Sequence, residues 1–177
     1  MILLMVAPPK TEKPWVIAVS FVGAFMLAAM PLPQALTAGR PAWVAMMIIY
    51  WCLASPKRMG VGLSWLLGLF LDVLKGTLLG QHAAIFALIA YFTLKHQQRI
   101  RTFPLEKQIV FVGLLLSLQA LLTLWIRVFM ALPLEPLVYW LPVLSSMVWW
   151  PLVFHILRHL RRKVAGAGSS LTYREGF

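Results

Sequence analysis

Asp72 lies inside an apolar run, GLFLDVLKGTLLG, with Lys75 three residues on and His82 a further seven. Arg127 sits in a second apolar run, LWIRVFMAL. A carboxylate, an imidazole and a guanidinium in apolar segments could form an ion pair, a shared polar network or a proton and ion relay. A relay is disfavoured, because Asp72 is the only acid in the interior of an apolar run and coupled transport gathers several polar groups at mid-membrane. His155 and His159, in HILRH, are four apart, a spacing that puts two metal ligands on one helical face. Such a site takes three or four ligands, and no acid accompanies the pair, so no metal is expected. Ser145 and Ser146 have no evident base, and no G-x-x-x-x-G-K-[ST], H-E-x-x-H or G-x-S-x-G motif occurs. Nothing in the chain proposes catalysis or a cofactor.

The elements that must position these groups are apolar. Of 177 residues 61% are hydrophobic and 12% charged, with a mean hydropathy of +0.83. A soluble domain of this size could not hide that much apolar surface, so lipid is the expected solvent. The net charge of +11 falls in short clusters between apolar runs, the pattern of cytoplasmic loops rather than of a nucleic-acid surface. Cys52 is the only cysteine, so no intrachain disulfide forms. The N-terminal MILLMVAPPKTEKPW lacks a basic region before its apolar stretch and reads as no removable signal.

The hydropathy pattern predicts an all-α, polytopic membrane protein with six spans in one domain over residues 1–163. The spans fall at about 15–34, 41–55, 57–76, 77–94, 106–132 and 138–157, followed by a flexible cytoplasmic tail, 164–177. With six spans and both termini inside, the inner segments hold Lys10, Lys13, Lys57, Arg58, Lys95, Arg99, Arg101, Lys107, Arg158, Arg161, Arg162, Lys163 and Arg174, and the outer ones only Arg40 and Lys75. Five spans would spoil that alternation. The inner clusters, with Lys57, Arg58, Arg99, Arg101, Arg158, Arg161, Arg162 and Lys163, read as a basic rim that attracts anionic lipid. Trp15, Trp43, Trp51 and Trp140 read as interfacial residues.

Small or special residues recur every four positions at Gly60, Ser64, Gly68, Asp72, Gly76 and Gly80. That spacing lets helix backbones approach closely. A four-residue step drifts by about 40° on a helix, so six steps wrap too far for one seam. The row therefore divides into a packing seam, Gly60 to Asp72, and a turn at Gly76 and Gly80, with Lys75 in the last helical turn where a cation suits the dipole. Asp72 then stands about 6 Å from the outer end of its span, at a depth similar to that of Arg127. Two readings stay open: the pair or a network with His82 forms, or Arg127 reaches outward while Asp72 bonds within its own turn.

The stretch from Arg40 to Tyr91 resembles the rod-shape-determining protein MreD family. The shared pattern is an early Arg-Pro, the aromatic pair Tyr50 and Trp51 before a Pro-interrupted turn, then VG and the spaced Gly68, Asp72, Gly76 and Gly80. WWPLVF before a basic tail also fits. The resemblance implies a non-catalytic scaffold of the bacterial inner membrane serving cell elongation and peptidoglycan synthesis. Its implied partners are MreC, RodA, a class B penicillin-binding transpeptidase and actin-like MreB. In span number the chain is also similar to the substrate-binding subunits of energy-coupling-factor vitamin transporters, the rival reading. That rival expects an outward polar pocket lined by Asp72, His82 and Arg127.

Overall fold

The computed structural model describes residues 14–31, 39–131 and 136–166; the expected tail beyond 166, and Lys10, Lys13 and Arg174, lie outside the described residues. These residues form six helices and no strand: α1 Pro14–Ala29, α2 Trp43–Ala54, α3 Val61–Lys75, α4 Gln81–Arg101, α5 Leu105–Phe129 and α6 Pro136–Gly166. The helices match the expected apolar runs in order, and their ends differ for physical reasons. The turn expected at Gly76 and Gly80 is there as the loop between α3 and α4, so α4 begins at Gln81 rather than at Thr77. At its far end α4 runs past Leu94 through KHQQRIR, residues of good helix propensity. The last helix likewise continues past Leu157 to Gly166, through both Pro142 and Pro151.

The centre of the bundle is α2. Every residue of it except Trp43 and Met47 is buried, and it packs against α1, α4, α5 and α6. At 12 residues it is about 18 Å long, less than the roughly 30 Å hydrocarbon core. Two stretches, Leu105–Phe129 and Trp140–Lys163, are long and apolar enough to cross a membrane. The helices carry large apolar residues outward as well as inward. On α6 these are Leu144, Val148, Leu152 and Ile156, one every four residues, and on α3 they include Leu66, Phe70 and Val73. Water would penalise such stripes, whereas hydrocarbon covers them at no cost.

Hairpins build the bundle. The α3–α4 pair is the most intimate, α5–α6 follows, and α2 packs closely on α4. At Gly68 a Cβ would stand 2.4 Å from the Cα of Ala83, so the two backbones touch. Gly113 plays a softer version of this part, its added Cβ meeting Met147 Sδ at 2.7 Å. Trp51, expected at an interface, is instead 1% exposed in the core, and its Nε1 donates to Ser20 Oγ at 2.8 Å.

Candidate functional site

Buried polar side chains in this bundle go chiefly to helix ends, where backbone groups lack intrahelical partners. Asp72 is the clearest case. It is fully buried near the end of α3, and donors converge on it from the start of α4. Gly80 N–H donates at 3.0 Å, His82 N–H at 3.0 Å and Ala83 N–H at 3.4 Å. Thr77 Oγ1 donates at 2.8 Å and His82 Nδ1 at 2.7 Å. An N-cap side chain normally belongs to the N-cap residue itself. Here that residue is Gly80, which has no side chain, and the aspartate eight positions earlier does the work.

The chain must turn sharply for this. Gly76 takes the left-handed conformation at φ 62° just past α3, and its N–H bonds back to the carbonyls of Asp72 and Val73. Gly80 does so again at φ 98°, ahead of α4. The row of small residues therefore serves three purposes. Gly68 and Asp72 meet the start of α4, Ser64 is buried with its hydroxyl donated to the Gly60 carbonyl, and Gly76 and Gly80 shape the loop. Gly60 is corrected: it is an extended N-cap with nothing within 4 Å of an added Cβ, and takes no part in close packing.

Of the expected network, Asp72 and His82 come together. Arg127 is not among the groups that bond Asp72; it lies on α5, whose packing is against α4, α6 and α2 rather than α3. Thr77, Gly80 and His82 already supply the carboxylate with charge-assisted donors.

Other helix ends follow the same rule. Arg40 donates to the carbonyls of Ala28, at 2.7 Å, and Met30, closing the end of α1. Arg101 does the same for α2 through Leu53 and Ala54. Ser146 accepts from Ala42 N–H at 2.8 Å, at the entrance to α2. Gln108 donates to Ile100 and Phe103, at the exit of α4. Sequence reasoning missed these pairings because they join residues up to 104 positions apart.

The basic rim is therefore uneven. Lys57, Arg58, Arg99, Arg162 and Lys163 are exposed at the end of the bundle where α2, α4 and α6 finish. Arg101 and Arg158 are half-buried, and Arg161 is 9% exposed, so these three belong to the packing as much as to any surface. His155 donates from Nδ1 to the Pro151 carbonyl at 2.7 Å.

At the opposite end lies a cavity of about 430 Å³. Its walls include Arg40, Lys75, Thr77, His82, Gln119 and Thr123, together with apolar residues such as Trp43, Leu71, Phe86 and Leu116. The rival reading requires a pocket of this kind. His82 lines it, but Asp72 and Arg127 do not.

The model of the family described as rod shape-determining protein MreD matches residues 10–160, nearly the whole described bundle. The chain belongs to the MreD family. A curated relative, the rod shape-determining protein MreD of Haemophilus influenzae, is 33% identical over 147 residues, covering 81% of this chain and 89% of that protein. No solved structure matches, so the likeness to energy-coupling-factor binding subunits rests on helix number alone. Membership in the MreD family makes this a membrane protein with a role in rod-shape determination, a family not known for catalysis.

Proposed function

We propose that this MreD-family chain is a non-catalytic scaffold of the cell-elongation machinery in the bacterial inner membrane. All six helices cross the bilayer, the short α2 being shielded by its neighbours, and both termini face the cytoplasm. The outward faces and the basic rim hold MreC, and through it RodA and a class B penicillin-binding transpeptidase, with MreB on the cytoplasmic side. Family membership together with the outward apolar stripes carries this reading. Assigning the buried polar groups to helix ends supports it too, since a rigid bundle presents fixed faces to partner helices.

Depleting the protein in its own cells tests the role. Rounded cells that lose lateral wall synthesis are expected, and rods of unchanged shape would end the proposal. Co-purification with MreC tests the partner separately. Labelling single cysteines at Lys57 and Leu79 tests topology, with only the latter reacting from outside.

The cavity favours a second reading, a small-molecule binding subunit of a transporter. Rescue of depleted cells by an added nutrient would support that instead.

A further inference from the structure

The cavity at the end opposite the basic rim is built asymmetrically. Among the described residues of its walls two are formal cations, Arg40 and Lys75, and none is Asp or Glu. Asp72 is fully buried and does not line the cavity, and its oxygens are already occupied by donors from Thr77, Gly80 and His82. Two polar atoms there are buried without a hydrogen-bond partner among the described residues: Arg40 Nε, whose two terminal nitrogens cap α1, and Gln119 Oε1. A buried donor beside an uncompensated cation is costly unless something answers it. The remaining wall, with Leu71, Phe86 and Leu116, is apolar. At about 430 Å³ the space is that of a small-ligand site, too small for a whole phospholipid.

We propose that this cavity binds a phosphate ester with a short apolar stem, its head between Arg40, Lys75 and Thr123 and its stem against Leu71, Phe86 and Leu116. A phosphate monoester carries about −1.5 to −2 charge near neutral pH, which matches two cations better than the single charge of a carboxylate. Its three acceptor oxygens meet Arg40 Nε–H, the Lys75 ammonium and the Thr123 hydroxyl, while the Gln119 amide turns either end inward. The ester reaches the site either as the head of a membrane lipid or as a water-soluble molecule, and the chemistry is shared.

Binding is read on the purified full-length protein in phosphatidylcholine nanodiscs, so it is independent of the scaffold proposal. Hexyl phosphate is titrated by thermal unfolding and calorimetry, beside hexanol, hexanoate and inorganic phosphate. Hexyl phosphate is expected to raise the unfolding midpoint by several degrees, with hexanol inert and hexanoate and inorganic phosphate at least tenfold weaker. Lys75→Gln should weaken hexyl phosphate at least tenfold, and Thr123→Phe, which fills the cavity, should abolish binding. Both variants keep Arg40 and its cap, and their unliganded midpoints report folding. Competition by phosphatidic acid, whose head is a phosphate monoester, assigns the site to a lipid head, and its failure to compete assigns a soluble ester. Equal response to hexanol, equal binding of hexanoate, or affinities unchanged in both variants would overturn the proposal.

Discussion

Asp72 and His82 meet twice: the imidazole Nδ1 stands 2.7 Å from one carboxylate oxygen, and the His82 backbone N–H lies 3.0 Å from the same atom. One aspartate thus fastens the end of α3 to the beginning of α4. The loop, the cap and the helix contact form a single unit.

Removing that carboxylate leaves several buried donors unanswered. Asp72→Ala should cost about 3–5 kcal/mol, the range for breaking a buried charged contact from one side. Asp72→Asn should cost less, because one acceptor oxygen remains. Unfolding midpoints in detergent measure both. The same cycle tests which residue Asp72 pairs with. Asp72→Asn should couple with His82→Ala by more than 0.5 kcal/mol, while with Arg127→Gln it should add within about that amount.

Gly68 and Gly60 look alike in the sequence and should respond oppositely. Gly68→Ala pushes a methyl into the Ala83 backbone and should destabilise by about 1–3 kcal/mol, or force α3 away from α4. Gly60→Ala meets open space and should leave the midpoint nearly unchanged. Gly113→Ala should fall between them, since Met147 can move aside.

Gly76 and Gly80 should be sensitive for a different reason, because their φ angles of 62° and 98° strain any residue with a Cβ. Alanine at either should cost about 1–3 kcal/mol. Gly76→Asn should be milder than Gly76→Ala, since asparagine tolerates the left-handed region. Thermal unfolding of the three variants decides it.

Arginines on the basic side should separate by what they touch. Arg99→Gln and Arg162→Gln should weaken the preference for anionic over zwitterionic lipid around the protein in mixed nanodiscs by about 1 kcal/mol each and spare the unfolding midpoint. Arg101→Gln should instead lower stability by about 1–3 kcal/mol, because the Leu53 and Ala54 carbonyls lose their donor. Lipid composition of the nanodiscs recovered with each variant and unfolding, run side by side, distinguish the two classes.

Residue type and local spacing alone determined that the chain is helical, that its apolar runs follow one another in this order, and that Gly76 and Gly80 make a turn. Those features depend on neighbours within a few positions. The MreD resemblance was legible for the same reason, being carried by a contiguous stretch. The tertiary structure decided which acid meets which base, that Trp51 is core, that Arg101 is a cap and that Arg40 and Lys75 share a cavity. Such outcomes depend on which helices touch, and a helix in lipid is often apolar all round, so its sequence does not mark the face that turns inward. Asp72 shows the division well. Its burial in an apolar run was visible at once, but its partner was chosen by the backbone of the next helix, whose free N–H groups carry no signature in any side chain.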